Sequence, residues 1–418
     1  MGGAHWLALG AVLCTVLAWL ALRRPTTLLV IVLATFAVGP QSAFADGVSP
    51  TVLAWAMPAQ ALLLIGALGA NAAHYGLRLD GVNWPLVAVL WLLCQSLLLA
   101  DLDPAITSVA LLGAALSFAL PWCLVHVALQ PGSRVRYALV IALLPTLCVL
   151  AGAALHLLEV HPLFSGSQGR GLRLQGASNA AWLAFLAFTG FAVALHEAVR
   201  RRRANFAGLA ALNVGIALLS GGRMSLLACG ILATTYVLLA RGLRARVALL
   251  ALIVLGGAGG LLAFAPQMPL HELAEAPGGL LDPNGRERLW RGYFDEFLAS
   301  PLFGRGLGAA EHGTYHELPH NAYLRLLVDG GLVGAALYGI AVLLWAWRVL
   351  EVVRRGERAF VWALLLALGA YAFTDNVLIM PAGVIPFFYL AVMRTRARRG
   401  AARRRVRSGL ATEPAAAR

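Results

Sequence analysis

The sequence contains no lysine and has little charge of either sign. Charged residues make up 12% of the 418 residues, all 33 basic residues are arginine, and hydrophobic residues account for 60%. A soluble globular chain has about 25% charged and about 45–50% apolar residues. The composition therefore excludes a soluble globular protein.

Cysteine is also scarce, and its positions exclude a disulfide framework. The five cysteines all lie within apolar segments: Cys14, Cys94, Cys123, Cys148 and Cys229. In such surroundings a thiol acts as a small hydrophobic group rather than as half of a disulfide or as a metal ligand.

The sequence is rich in long apolar blocks. A helix of about 20 apolar residues spans a bilayer core of about 30 Å. Thirteen blocks are candidates: 6–22, 26–44, 51–70, 84–100, 105–129, 137–158, 178–197, 204–219, 224–240, 247–264, 322–350, 359–376 and 378–393. We expect about 12 transmembrane helices with both ends in the cytoplasm, and hence an all-α polytopic membrane protein.

The arginines are concentrated in alternate breaks between these blocks. The arginine-rich breaks include 200–203, 241–246 and 354–358, and the chain ends in an arginine-rich tail at 394–418. Cytoplasmic loops carry such an excess, so these breaks are expected in the cytoplasm. The basic charge is thus a signal of topology, and nucleic acid is not an expected partner. The tail is predicted to be disordered and able to touch anionic lipids.

One sizeable polar segment, 265–319, separates the transmembrane helices of 1–264 from those of 320–393. It lies on the arginine-poor side, which we expect to face the periplasm, and holds eight acidic residues and four arginines. Polar groups gathered on one side of a membrane protein indicate where chemistry takes place. This loop is therefore predicted to carry active-site residues.

The first candidate residues are the loop arginines Arg286, Arg288 and Arg291. Asn284 is a plausible N-cap of a helix whose apolar face consists of Leu289, Trp290, Phe294 and Phe297. Arg288 and Arg291 are close in angle on such a helix, whereas Arg286 points elsewhere. The alternative is that these arginines pair only with nearby acids and lipid phosphates.

His320 and Asn321 are the next candidates. They follow Pro319 and precede an apolar block, so they are expected in or just before the first turn of a helix. A helix N-terminus disfavours imidazolium, so His320 is expected to be neutral and able to accept a proton. The alternative is a capping histidine without chemistry.

Two other catalytic constellations are weaker. His312, His316 and His320 are four residues apart, as metal ligands on one helix would be, but Gly313 and Pro319 interrupt that helix. Ser220-Gly221-Gly222 lacks the elbow motif of a serine hydrolase.

Arg223 lies in a short break, Ser220-Gly221-Gly222-Arg223, on the arginine-poor side. Burying an unpaired arginine in a membrane costs about 2.5–3.5 kcal/mol on insertion scales. The side chain of Arg223 therefore either extends to the membrane–water interface or binds an anionic ligand. Guanidinium suits the second role because it binds phosphate in a bidentate way. Arg325 and Asp329, four residues apart, are expected to pair as a structural element.

In order and spacing, these motifs resemble the O-antigen ligase and O-antigen polymerase superfamily. They are Ser220-Gly-Gly-Arg223, Gly285-Arg286 before Leu289-Trp290, Ser300-Pro-Leu-Phe-Gly304-x-Gly306, His320-Asn321-x-x-Leu324 and Gly330-Gly-Leu-Val-Gly334. The motifs cover about 205–345. This chain departs from many relatives in having Gly222 where they have serine before the arginine, and in its extra Arg288 and Arg291.

The resemblance implies a GT-C-like membrane glycosyltransferase of the inner membrane that needs no metal or other cofactor. Its donor is a glycan linked to undecaprenyl pyrophosphate. His320 would be the general base and Arg286 a catalytic arginine, whereas Arg223, Arg288, Arg291 and Asn321 would bind the pyrophosphate. The chemistry fits these residues, because a hydroxyl attacking an anomeric carbon needs a base on one side and cations at the leaving group.

The acceptor distinguishes the branches of this family. A ligase uses the lipid A core, a polymerase uses another lipid-linked repeat unit, and a third branch uses protein serine. The single long loop before the last helices and the modest length favour the ligase. A polytopic transporter or flippase is the alternative from another class, but no internal repeat is visible and few ionisable residues lie at mid-bilayer depth.

Overall fold

The computed structural model describes residues 15–44, 50–77, 82–99, 132–167, 171–239, 286–312, 319–375 and 381–393, with a few single positions between 119 and 130. The helices are α1 (Pro25–Thr35), α2 (Pro40–Ala43), α3 (Pro50–Tyr75), α4 (Trp84–Leu99), α5 (Arg134–Leu157), α6 (Ala180–Arg201), α7 (Ala204–Leu219), α8 (Arg223–Leu239), α9 (Arg286–Ala299), α10 (Ala309–His312), α11 (Ala322–Val352), α12 (Arg358–Ala372) and α13 (Val384–Met393), with 3-10 turns at Arg355–Glu357 and Pro381–Gly383. The strands are β1 (Phe164–Ser167) and β2 (Gly171–Leu174).

The described part of the chain is mostly helical, as the apolar blocks predict. Within it, three helices are long and apolar enough to cross a membrane, namely α5, α6 and α11. Helix α6 has 22 residues and is therefore about 33 Å long. Five shorter apolar helices accompany them: α1, α4, α7, α8 and α13.

The count of about 12 transmembrane helices stays a prediction. The block at 247–264, most of the block at 105–129 and the tail at 394–418 lie outside the described residues. The same holds for 265–285 and 313–318, so only the middle of the predicted polar loop is described.

Helix α6 forms the centre of the bundle. Of its most apolar 18 residues, 89% are buried by the protein itself, against 39% for α5. It begins sharply because the Asn179 side chain accepts a hydrogen bond from the Trp182 amide. It ends at Arg202, which is in the left-handed conformation. Helices α5, α7 and α8 pack around it.

A two-stranded antiparallel hairpin joins α5 to α6 and is an addition to the predicted helical fold. Strands β1 and β2 pair with Ser165 opposite Arg173. The base of the hairpin is fixed by a bond from the Gln175 amide to the Leu163 carbonyl, 3.1 Å. The alternating pattern of so short a hairpin is weak beside the long apolar blocks, so the helical prediction overlooked it.

Helix α11 is broken in the middle, and a loop docks on the break. Gly331 has φ 62° and ψ −168°, so the helical hydrogen bonds stop there. The carbonyl of Val328 accepts from the Arg305 amide at 2.8 Å, and the Leu332 amide donates to the Pro301 carbonyl at 2.8 Å. The glycine-rich motifs at 300–308 and 330–334 are therefore partners in one backbone junction.

Only glycine fits at this junction. A side chain at Gly331 would place its Cβ 2.4 Å from the Leu302 carbonyl oxygen, and one at Gly304 would lie 2.5 Å from the Gly331 nitrogen. Helix α4 contacts the loop at 300–308, since the Ser96 hydroxyl accepts a hydrogen bond from the Leu307 amide at 2.6 Å.

The two ends of the bundle differ in charge. At one end, which we call the arginine-rich end, Arg134 lies between Glu197 at 2.7 Å and Glu357 at 2.7 Å, all three nearly buried. Arg200 and Arg201 also pair with Glu197. The opposite end, which we call the site end, holds the hairpin and the starts of α6, α8 and α11.

Candidate functional site

The turn between α7 and α8 presents Arg223 at the site end. Ser220 closes α7, and Gly221 reverses the chain with φ 65°. Arg223 is the first residue of α8 and is exposed. Within the described ranges its guanidinium has no carboxylate or carbonyl partner. This arrangement leaves the charge of Arg223 available to an anion.

Gly222 lies where the turn has no room for a side chain. A Cβ at this position would lie 2.4 Å from the Ala184 Cβ on α6. The Ser225 hydroxyl donates to the Ala184 carbonyl nearby. The turn is thus pressed against the beginning of the central helix, which a side chain at residue 222 would push away.

His320 lies just before α11 and is paired with Asp375. The helix begins at Ala322 with Asn321 as its N-cap, so His320 precedes the first turn, as predicted. Its imidazole is 46% exposed, and Nδ1 is 3.5 Å from the Asp375 Oδ1. The backbone of His320 has φ 47°, which is uncommon for a residue other than glycine.

Asp375 was not among the residues predicted from the sequence. A single aspartate after an apolar block gives no pairing signal, because 55 residues separate the partners. A carboxylate beside one ring nitrogen orients an imidazole and stabilises its protonated form.

Asn321 is used for capping. Its Oδ1 accepts hydrogen bonds from the amides of Tyr323 and Leu324 at 3.0 and 3.1 Å, and the residue is 6% exposed. The expected pyrophosphate contact of Asn321 stays a prediction, and the cap gives this residue a structural task of its own.

Helix α9 is tied to both sides of the His320–Asp375 pair. The Trp290 indole donates to the Pro319 carbonyl at 2.7 Å, directly before His320. The same ring meets Phe373 edge-on, with 5.6 Å between centroids, two residues before Asp375. Trp290 therefore joins α9 to the two segments that carry His320 and Asp375.

The arginines of α9 are only partly described. Arg288 and Arg291 are exposed. Arg286 is the first residue of α9, but its side chain lies outside the described residues, as do Asn284, the side chain of His312, and His316. Residues 319 and 320 are not helical, so the continuous helix that a three-histidine metal site needs does not reach His320.

The predicted apolar face of α9 was wrong at one position. Tyr293 is fully buried and Phe297 nearly so, with Leu289 and Trp290 packed against them, whereas Phe294 is 48% exposed. The reason is that α9 packs on α11, and the Tyr293 hydroxyl donates to the Ala310 carbonyl at 2.9 Å. A tyrosine with a buried partner fits a core position that the sequence pattern assigned to phenylalanine.

Tyr371 links the Arg223 turn to the His320–Asp375 pair. It lies on α12, four residues before Asp375, and α12 packs on α8, which carries Arg223. Its ring packs on Phe185 at 5.3 Å between centroids. Because α8 and α12 also pack together, the elements that carry Arg223 and Asp375 meet at one end of α6.

An apolar groove leads away from this site between α11 and α12. It encloses about 720 Å³ and extends from Ala322 and Tyr323 beside the site to Trp347 toward the other end. The Tyr323 hydroxyl bridges the two helices by donating to the Gly369 carbonyl at 2.9 Å. Such a groove suits a hydrocarbon chain whose polar head lies near His320.

The expected ion pair of Arg325 and Asp329 is confirmed. Their Nε and Oδ2 atoms are 3.7 Å apart, and both side chains are almost fully buried. Asp329 also accepts from the Ala310 amide at 2.9 Å. This pair therefore braces α10 against α11, as the structural interpretation predicted.

No group of three metal-ligating side chains occurs among the residues that the structure describes. The candidate residues described at the site end are His320, Asp375 and the exposed arginines Arg223, Arg288 and Arg291. That combination serves proton transfer and the binding of an anionic leaving group.

Comparison with known families agrees with this geometry. Residues 208–339 match the family model described as O-antigen ligase. The chain carries a domain of the O-antigen ligase superfamily. The O-antigen ligase domain includes the Arg223 turn, the loop and His320, whereas Asp375 and the hairpin lie outside the match. No curated protein matches the chain.

The O-antigen ligase family consists of membrane glycosyltransferase-like enzymes, and the family implies a lipid-linked glycan donor and a lipid A core acceptor in general. The apolar helices agree with a membrane location.

Proposed function

We propose that this protein is an O-antigen ligase that transfers a polysaccharide from undecaprenyl pyrophosphate to the lipid A core oligosaccharide. The observation that carries the proposal is the pairing of His320 with Asp375, 3.5 Å apart, at the same end of the bundle as Arg223. The O-antigen ligase match at 208–339 supports it.

His320 acts as the base. Its Nδ1 faces Asp375, so Nε2 is the nitrogen that accepts the proton of the acceptor hydroxyl. The freed oxygen forms a bond with the anomeric carbon of the donor. The carboxylate of Asp375 stabilises the imidazolium that results.

The arginines take up the charge of the leaving group. As the bond between the anomeric carbon and the phosphate oxygen breaks, its electron pair passes to undecaprenyl pyrophosphate. Arg223 and Arg286, assisted by Arg288 or Arg291, hold that anion with guanidinium groups that keep their charge at every relevant pH. A base and a phosphate clamp on opposite faces of the sugar carbon produce inversion.

The donor lipid lies in the groove between α11 and α12. Its opening at Ala322 and Tyr323 adjoins His320. The hydrocarbon part of the donor lipid would thus lie in the apolar groove, while its pyrophosphate reaches the arginines. Donor and acceptor are both lipid-anchored, which fits a site that opens sideways into the membrane.

The proposed orientation puts the site end in the periplasm and the arginine-rich end in the cytoplasm. The buried cluster of Arg134 and Arg200 with Glu197 and Glu357 lies at the latter end. Cytoplasmic loops carry the excess of basic residues. The bacterial inner membrane is the location that follows.

Purified protein in proteoliposomes tests the proposal with lipid-linked glycan, core acceptor and a chelator. We expect transfer by the wild type and a loss of at least about 100-fold in kcat for His320→Ala, the range of a lost acid–base group. The matched control is His74→Ala. His74 is likewise an exposed histidine, but its ring nitrogens bond backbone carbonyls and not a carboxylate.

The acceptor decides between the family branches. Unchanged kcat in His320→Ala refutes the assigned base. Transfer to a second lipid-linked repeat unit, with none to the core, would make the protein an O-antigen polymerase. Product on serine of a test protein would indicate a protein glycosyltransferase.

A further inference from the structure

We propose that Arg173 is a positioning residue for Arg223, an inference that rests on the proposed function. Arg173 is on β2, about 50 residues before the turn that it contacts, and lies outside the O-antigen ligase match. Its Nε donates to the Ser220 carbonyl at 2.9 Å, and an Nη donates to the Gly221 carbonyl at 3.3 Å. One guanidinium thus holds the carbonyls of Ser220 and Gly221, three and two residues before Arg223.

The contact is favourable because of where these carbonyls lie. Ser220 closes α7, so its carbonyl is among the unpaired acceptors at the negative end of that helix. The planar guanidinium bonds this carbonyl and that of Gly221, which also accepts from the Arg223 amide at 3.1 Å, in a fixed geometry that a flexible ammonium does not provide. The turn is therefore held in one conformation before any substrate arrives.

The contact with Arg173 requires a glycine at residue 221. Gly221 has φ 65°, and a Cβ at this position would lie 2.8 Å from the Arg173 Nε. The glycine thus serves both the backbone reversal and the close approach of the guanidinium.

The strand that carries Arg173 is held by pairing within the hairpin and by hydrogen bonds at its base. Arg173 pairs with Ser165 in the hairpin. The Gln175 side chain donates to the Pro162 carbonyl at 2.6 Å, and the His161 ring bonds the Ser178 carbonyl at 3.1 Å. These bonds fasten the base of the hairpin to the start of α6, so the guanidinium is held by the scaffold and not by a flexible loop.

The test combines hydrogen exchange with transfer kinetics. For Arg173→Ala we expect faster amide exchange in the peptide 217–225 and a fall in kcat/KM of about 10- to 100-fold, the range of one or two charge-assisted hydrogen bonds. Arg173→Lys, which is milder for folding, should show the same changes to a smaller degree.

A double-mutant cycle separates positioning from general stability. In the Arg223→Ala background, Arg173→Ala should cost little more, because the residue that it positions is already gone. The matched control is Arg348→Ala, since Arg348 also donates to a backbone carbonyl, that of Val82 at 2.9 Å, but away from the site. It should change neither the exchange at 217–225 nor kcat/KM.

Two results would overturn the inference. One is unchanged exchange at 217–225 in Arg173→Ala, and the other is an equal loss of kcat/KM with and without Arg223. If Arg223→Ala itself transfers normally, the assigned role of Arg223 fails instead. The exchange measurement then still decides whether Arg173 holds the turn.

Discussion

At the scale of single residues, the site depends on charges that are supported by neighbours far along the chain. His320 has Asp375 beside it, and the Arg223 turn has Arg173. Each support comes from an element that packs on the site from another part of the sequence. Substitutions of Asp375 or Arg173 should therefore lower the rate of transfer, although neither residue is assigned a contact with substrate.

Asp375→Asn should lower kcat by at least about 10-fold with little change in the KM for the donor. An amide cannot stabilise the imidazolium as a carboxylate does. Steady-state kinetics measure this split. In the His320→Ala background the substitution should have almost no further effect, and a second large loss there would contradict the pairing.

Arg223→Lys should raise the KM for the donor or lower kcat, with a total loss in kcat/KM of about 10-fold or more. Lysine keeps the charge but loses the bidentate grip on phosphate. Arg348→Lys serves as the control at the opposite end. Near-normal kinetics of Arg223→Lys would make Arg223 a structural residue.

At the scale of elements, helix α11 has two features that a straight apolar helix would lack. Helix α11 is broken at Gly331 so that the loop at 300–308 can bond to its backbone. The same helix forms one wall of the groove. Both features can be altered by substituting glycines of α11.

Gly331→Ala should destabilise the protein by about 2–4 kcal/mol, because it combines an unfavourable φ with a clash against the loop backbone. Gly339→Ala on the same helix has open space around its Cβ and is the control. Thermal unfolding in detergent measures both. Equal melting temperatures for the two variants would show that the junction tolerates a side chain.

Gly339→Leu should raise the KM for the lipid-linked donor several-fold and leave kcat nearly unchanged. Its side chain would project into the groove that we assign to the donor lipid. Gly208→Leu is the matched control, because Gly208 is also a helical glycine with open space and does not line the groove. An unchanged KM would place the lipid elsewhere.

At the scale of the whole molecule, the ends of the bundle have separate tasks. The site end exposes arginines and a histidine, whereas the arginine-rich end contains a buried ion-pair cluster of Arg134, Glu197 and Glu357. Glu197 and Glu357 come from α6 and the turn before α12, and Arg134 at the start of α5 joins them. This cluster locks the helices together on the side remote from the site.

Arg134→Met should destabilise the protein by about 3–5 kcal/mol, because it leaves two buried carboxylates without their shared partner. Arg136→Met, an exposed arginine of the same helix, is the control. Thermal unfolding in detergent gives the comparison. A loss below about 1 kcal/mol would mean that Arg200 and Arg201 suffice.

The site was predictable only in part. His320 at the start of a helix and Arg223 in a short break follow from the residues and their spacing. Asp375 and Arg173 did not, since their partners lie 55 and 47 residues away and no local pattern connects them. The burial of Tyr293 in place of Phe294 likewise depends on the direction from which α11 approaches.

Composition and periodicity by themselves determined that the chain is helical and apolar, because hydrogen bonding within the backbone must be complete wherever water is absent. They also determined the sidedness expected from the arginines. The tertiary structure alone decided which carboxylate faces the imidazole, which carbonyls a guanidinium holds and why α11 breaks at Gly331. Those contacts join distant segments, and a contact of this kind exists only once the helices have packed.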